Sequence, residues 1–405
     1  MIEPMSQVRP SRRALLLAGT GAAALSGIGV AARLGPDHRE GAEPGHQPDG
    51  QLQLTGSGDM GVAYLSVPLA RNRLLEVATR EWRSAPLTTS TYSMVGFTWR
   101  RGEAEPHIAI RSRADGVWQP WQDVPHMHDA ADPDEATQTV GTELAHVGRS
   151  DAIRVRVSGS RPTGLTLVLL HPTPLPGDHE PVLAATATSR LRRETAGRVS
   201  RKRVPRPRIR SRRDWGADDR LREGEPRYND TIKQVHVHHT ANSNTYRRGE
   251  VPALIRGMYA YHTQSLGWSD IGYNFLVDRF GRAWVGRAGG PGRAVRGAHT
   301  LGFNHVSTGI AVIGNYETAR PTKAEIRGIA RLAAWKLDKY GRDPVGRTRV
   351  TSRGSDRYRA GRKVSLPVID GHRDTNQTAC PGQRLYDLLP RVRRRTKKVM
   401  SRFPK

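Results

Sequence analysis

The sequence predicts a chain of two folded parts of different class: an all-β, sandwich-like domain over residues 59–172 and an α/β domain over residues 209–400. Three observations carry this. Short apolar or alternating runs separated by turn residues fill the first span. In the second, buried-strand runs alternate with longer segments of helical spacing. Between them, residues 173–208 turn rich in Arg and Pro, a composition that reads as an extended linker.

The N-terminus comes first. Ser11-Arg12-Arg13-Ala14-Leu15-Leu16 opens an Ala/Gly/Leu run that ends at Val30-Ala31-Ala32. An Arg pair, a mildly apolar run and a small-residue end make residues 1–32 an export signal. The Ser before the twin Arg and the Gly content point to the twin-arginine route. The alternative is an uncleaved anchor helix. No later stretch reaches the roughly 20 apolar residues of a membrane span. The expected location is therefore secreted or in the cell wall. Residues 33–58, rich in Gly, Pro, His and Asp, read as a disordered lead.

In the β-domain, strands are expected at Met94–Trp99, His107–Arg111, Val117–Val124, Ile153–Val157 and Leu165–Leu170. Ala114-Asp115-Gly116 and Pro162-Thr163-Gly164 supply turns. Trp99, Trp118 and Trp121 offer faces for stacking on sugars, although packing in a core or on a sheet is the commoner use of such aromatics. The linker that follows carries Arg201-Lys202-Arg203-Val204-Pro205-Arg206-Pro207-Arg208. It reads either as a solvated tether or as an anchor on anionic wall polymers.

The α/β domain starts its strands at Ile232–His239, Tyr273–Asp278, Ala283–Gly286, Thr308–Gly314 and Leu366–His372. Val251–Gln264 has helical spacing, with Leu254, Ile255, Met258 and Tyr261 on one side. Thr322–Tyr340 is an amphipathic helix with Thr322 as N-cap, Glu325 at the capping-box position and Gly341 past its end. Tyr386–Met400 reads as a basic helix interrupted near Pro390.

Composition narrows the partners. The formal net charge is +27 over 405 residues, and hydrophobic content is 36%. Such a charge implies a polyanionic environment: nucleic acid, a membrane surface or a wall polymer. No base-reading signature is present, so specific nucleic-acid recognition is not expected. The chain has one cysteine, Cys380. It cannot form an internal disulfide, which leaves a spare thiol, a nucleophile or a metal ligand. His372 lies just upstream, and His236, His238 and His239 cluster far back in the chain. Two imidazoles and one thiolate make a set that zinc accepts with a fourth position open, as in catalytic sites. Strand alternation puts His236 and His238 on one face and His239 on the other. It does not choose between His236 and His238.

Several motifs then occur in order: Arg213-Asp214-Trp215-Gly216, Val237-His238-His239-Thr240, Asp270-Ile271-Gly272-Tyr273-Asn274-Phe275, Gly297-Ala298-His299-Thr300, Ser307-Thr308-Gly309-Ile310, Gly371-His372-Arg373-Asp374 and Cys380-Pro381-Gly382. In this series the region from about 208 to 395 resembles the peptidoglycan recognition protein and type-2 N-acetylmuramoyl-L-alanine amidase family. The resemblance implies a central mixed sheet flanked by helices, with one zinc ion at the floor of a groove. It implies His238, His372 and Cys380 as metal ligands and Tyr273 as a catalytic residue. Thr378 falls where relatives carry Lys or Thr and is expected to supply a further hydrogen bond. His299 and Trp268 are the expected substrate contacts, each with packing as the alternative. Asp374 is expected to fix the loop between His372 and Cys380, and Trp215 to be a structural anchor. Some relatives carry a Glu in the strand after the Ser-x-Gly-Ile motif; here that place is Ala311.

The implied reaction is zinc-dependent hydrolysis of the amide between N-acetylmuramic acid and L-alanine in peptidoglycan. The alternative is a non-catalytic peptidoglycan-binding protein. Such relatives commonly lose the cysteine, which this chain keeps.

Overall fold

The structure is a computed structural model that describes residues 50–56, 58–70, 72–131, 137–179 and 203–403. The expected export signal, most of the lead and most of the basic linker lie outside the described residues. Among the described residues no helix is long and apolar enough to cross a membrane.

The β-domain is built on long antiparallel strands: β1 (Val62–Pro68), β2 (Leu87–Arg100), β3 (His107–Ala114), β4 (Ala145–Ser158) and β5 (Thr166–Pro172). β5 pairs with both β1 and β2. β4 pairs with β2 through its first half and with β3 through its second, with register shifts between His146 and Ala152. Those irregularities let one strand serve two parts of a curved sheet. The turn at Asp115-Gly116 has positive φ at both residues, as a tight hairpin demands. It brings Trp118 opposite Arg113. The expected strand Val117–Val124 is broken at Pro120 into Val117–Trp118 and Gln122–Val124, because proline supplies no ladder donor. Trp99 is a core residue. Trp118 and Trp121 lie under the guanidinium groups of Arg154 and Arg156.

The second domain has the mixed sheet. Its strands are β6 (Ile209–Arg210), β7 (Gln234–His239), β8 (Phe275–Val277), β9 (Ala283–Val285), β10 (Ser307–Val312) and β11 (Ile369–Gly371). The order is β6-β9-β8-β10-β7-β11, with only the β8–β9 pair antiparallel. Period-2 alternation on β7 sends Val235 and Val237 into one core with Ile310, Val312, Ile329 and Leu332. That core is closed by α2 (Lys323–Lys339) and α3 (Leu389–Met400). The capping box on α2 forms as its sequence requires: the Thr322 hydroxyl accepts from the Glu325 N–H at 3.1 Å, while Glu325 accepts from the Thr322 N–H. Gly341 takes the left-handed conformation just past the end.

Three elements differ from expectation. Pro390 sits in the first turn of α3. The missing donor costs nothing there, so the proline starts a helix rather than interrupting one. The Leu366–His372 run is two strands, because Lys363–Pro367 pairs in a hairpin with Arg347–Thr351 while β11 joins the main sheet.

The third concerns α1 (Val251–Ala260), which is buried at every position rather than along one stripe. Its second face is covered by the β-domain. Met94, Val168 and Leu170 share a core with Ile255, Met258 and Tyr261. The Tyr261 hydroxyl donates toward the carbonyls of Phe97 and Thr142 at 3.0 and 2.9 Å. Gly96 makes room for that ring, since a Cβ there would lie 2.7 Å from it. α1 is thus the shared wall between the sheet of one domain and the sheet of the other.

A candidate metal centre

The other face of β7 carries His236 and His238, and the two imidazoles separate in role. His236 Nδ1 sits 2.5 Å from Asp370 Oδ1, with both side chains fully buried. His238 joins His372 and Cys380: one ligand atom from each lies within 4.8 Å of the others, and all three residues are buried. Cys380 Sγ is 3.8 Å from His238 Nδ1. The register β7–β11 brings Val237 opposite Gly371, which places the turn at His372 beside His238. The return of the chain to Cys380 is held by Arg373 N–H donating to the Cys380 carbonyl at 3.0 Å. Asp374 accepts from the Gly371 N–H at 2.9 Å and from the Tyr386 hydroxyl at 2.7 Å. Asp374 thus does fix this loop.

The pocket of His299 is made by two motif glycines. A Cβ on Gly297 or Gly309 would fall 2.3 or 2.5 Å from its ring. Its Nδ1 lies 3.1 Å from His238 Nε2. With Nε2 engaged there, His238 presents Nδ1 to its other neighbours, which is how a supporting group sets a ligand's tautomer. His299 lies fully buried behind the ligand, not on the groove. Trp268 is likewise 7% exposed and stacks on His262 at 4.6 Å between ring centroids. Neither residue lines the main cleft, but Trp268 lines the smaller cavity of about 170 Å³ beside Asp129. Thr378 does line that cleft. Its hydroxyl accepts from the Cys380 N–H at 3.1 Å, which shapes the cysteine turn. Trp215 is fully buried and donates from Nε1 to the Val285 carbonyl at 2.7 Å.

Tyr273 borders the centre, its ring 5.5 Å from that of His238. Burial, with Asp129 beside it, pushes its phenol well above the usual range. It is a proton donor at neutral pH, not a base. Burial also holds His372 down to about 3 and His238 well below an ordinary histidine, so both are neutral and available as ligands. It raises the Cys380 thiol well above its usual value. Binding a cation there must expel that proton, since a coordinating thiol is deprotonated.

Do these residues fit zinc? His372 Nδ1 is buried with no hydrogen-bond partner. Two imidazole nitrogens and a sulfur converge without a positive group between them, which is a zinc donor set. On both counts they fit. The cleft beside Cys380 has a volume of about 730 Å³ and is walled by both domains: Pro125, His126, His128 and Glu143 on one side, His239, Asn315 and Gln377 on the other.

Sequence reasoning did not find Asp129. It belongs to the β-domain, yet its Oδ1 lies 3.3 Å from His238 Nδ1 and 3.2 Å from His372 Nδ1. The only trace of it in the sequence is the run His126-Met127-His128-Asp129.

His262 gives a pH prediction away from the ligands. It is 3% exposed, and Nδ1 accepts the Gly272 N–H at 3.2 Å. Burial lowers its pKa to about 4. The folded value lies below the unfolded one, so the protein is stabilised above pH ~6.5 and loses this contribution as pH falls toward 4. The expected slope is about 1.4 kcal/mol per pH unit. Urea unfolding of chelator-treated protein between pH 7.5 and 4.5 measures it. The His262→Gln variant should show a shallower decline, and parallel declines would refute the assignment.

Comparison with known proteins places these features. Residues 228–383 match the family described as N-acetylmuramoyl-L-alanine amidase. Residues 64–189 match the family described as Rv3811 N-terminal galactose-binding domain-like. The chain is 31% identical over 177 residues to peptidoglycan-recognition protein SC2 of Drosophila melanogaster, covering 44% of this chain and 82% of that protein. It is 37% identical over 137 residues to the N-acetylmuramoyl-L-alanine amidase of Homo sapiens, covering 34% of this chain and 20% of that protein. The solved structure of peptidoglycan recognition protein-LE in complex with tracheal cytotoxin aligns at 32% identity over 45% of this chain and 92% of that one, with a TM-score of 0.36. With its mixed sheet, its ordered motifs and these relatives, the chain belongs to the family of peptidoglycan-recognition proteins and N-acetylmuramoyl-L-alanine amidases, joined to a galactose-binding-like β-domain.

Proposed function

We propose that this protein is a zinc-dependent N-acetylmuramoyl-L-alanine amidase that cuts the amide between N-acetylmuramic acid and the L-alanine of the stem peptide. The observation that carries this reading is the convergence of Cys380 Sγ with His238 and His372 beside Tyr273. A binding protein needs no such ligand set. When bound, zinc supplies Lewis acidity, acidifying a water and polarising the scissile carbonyl. The remaining work falls to the chain. His299 keeps His238 in the ligating tautomer. Tyr273, protonated at neutral pH, donates a hydrogen bond to the oxygen that gains charge as the carbonyl is attacked. Thr378 holds the Cys380 turn at the cleft edge and offers its hydroxyl to the same oxygen. The second reading, peptidoglycan binding without turnover, shares the cleft but leaves Cys380 without a purpose.

The reading includes export, on the twin-arginine pattern at Ser11-Arg12-Arg13, and adhesion of the Arg-rich tract to anionic wall polymers. The deciding experiment digests purified peptidoglycan with zinc-loaded and with chelated protein and follows new L-alanine amino ends by mass spectrometry. Release that stops with chelation and returns with zinc is the expected result. Stoichiometric zinc with bound peptidoglycan and no release, even from the Asp129→Ala variant, would turn the reading to a recognition protein.

A further inference from the structure

We propose that Asp129, delivered by the β-domain, is the fourth protein ligand of the metal in the conformation seen here, so that the enzyme is closed by its own N-terminal domain. This rests on the metal-site reading above.

The geometry is specific. Asp129 is 4% exposed, and its Oδ1 has no hydrogen-bond partner. That oxygen nevertheless lies 3.3 and 3.2 Å from the Nδ1 atoms of His238 and His372. At 3.2 Å an imidazole and a carboxylate would ordinarily share a proton, but His372 Nδ1 is also without a partner. One buried carboxylate oxygen thus stands beside both imidazole nitrogens at once. The spacing agrees: zinc–nitrogen and zinc–oxygen bonds of ordinary length in a tetrahedron set nitrogen and oxygen about 3.3 Å apart. Tyr273 stands beside the same carboxylate, which raises its phenol further above the usual range. One aspartate therefore takes the position a substrate carbonyl needs, next to the donor that would serve it.

The segment bearing Asp129 is fastened on both sides to the amidase domain. His128 Nδ1 lies 3.1 Å from Asp356 Oδ2. The Ala130 carbonyl accepts from Asn304 Nδ2 at 2.8 Å. The same segment lies between two cavities, of about 730 and 170 Å³, and His128 lines both. Met127 and Ala131 on either side of Asp129 pack on the shared core, while Asp129 itself faces the smaller cavity, so the side chain has room to swing from the ligands with its backbone anchored. A fixed fourth ligand would make the centre structural rather than catalytic; a displaceable one makes it switchable.

The test uses the full chain loaded with zinc or cobalt(II), as wild type and as Asp129→Ala. Asp129→Asn keeps the shape should the alanine variant not fold. Three readings are taken: zinc affinity by chelator competition, the cobalt(II) absorption spectrum titrated with acetohydroxamate, and the rate of stem-peptide release. The expected result is zinc affinity weaker by about tenfold or more in the variant, in the range that loss of supporting groups already produces. Acetohydroxamate should shift the variant's spectrum at concentrations at least about tenfold below those needed for wild type. Stem-peptide release should be faster in the variant. Equal zinc affinity and equal acetohydroxamate response would overturn the proposal while leaving the amidase reading intact. Slower release in the variant would overturn self-closure and make Asp129 part of the catalytic set. Failure of the wild type to hold zinc, with Cys380→Ser no different, would remove the metal reading and this inference together.

Discussion

Replacing Cys380 by Ser is expected to strip the zinc and abolish release of stem peptide while leaving the fold in place. Cys380 is 4% exposed, and its sulfur stands 3.8 Å from His238 Nδ1. A thiol gives up its proton on coordination, but a serine hydroxyl does not ionise near neutrality, so the site loses its one anionic amidase-domain donor. Loss of supporting groups alone costs about 10–100-fold in metal affinity, and loss of a direct ligand should exceed that. The fold should survive because, without metal, Cys380 is a small buried group whose backbone is held by Thr378 and Arg373. Zinc content after dialysis, release from peptidoglycan and the unfolding midpoint of the chelated proteins are the measurements. Full zinc retention in the variant would show that the cysteine is not a ligand.

The second large effect is on stability. Arg256→Ala should destabilise the protein by about 3–5 kcal/mol, the range for breaking a buried ion pair. Arg256 is fully buried in α1, and Asp178, just beyond the β-domain, is 6% exposed at its side chain. The pair is bidentate, at 3.0 and 2.7 Å. The same guanidinium donates to the carbonyls of Trp215 and Thr173 at 3.0 and 2.9 Å. Its removal leaves the Asp178 carboxylate without its cation, held only by the Leu175 N–H, and takes the donor from two carbonyls where the two domains meet. Denaturant unfolding of zinc-free protein reads this out, and a loss below about 1 kcal/mol would mean the pair is solvated in practice.

The two predictions separate what is local from what is not. Thr322, Glu325 and Gly341 announced α2 because caps are decided by residues a few positions apart. Cys380 and the His238-His239 pair announced a candidate metal site because the donor types themselves restrict the chemistry. Pro390 was misplaced for an equally local reason: proline in a first turn and proline in a helix interior look alike until the start of the helix is known. The choice of His238 over His236 came from resemblance and not from strand periodicity, which puts both on one face. The fold gives them different partners, Asp370 on β11 for His236 and His299 in the loop before β10 for His238.

The sequence by itself determined the two structural classes, four of the six strands of the mixed sheet, the donor types and the helix caps, because apolar periodicity and end chemistry act over a few residues. Only the tertiary structure decided that α1 is buried all round and that His299 stands beside His238. It also placed a β-domain aspartate against the candidate metal centre. These depend on which surfaces meet across long stretches of chain, and no local pattern encodes a meeting. Arg256 and Asp129 show the consequence most plainly: read in sequence each is an ordinary surface charge, and each becomes consequential only when the other domain removes its water.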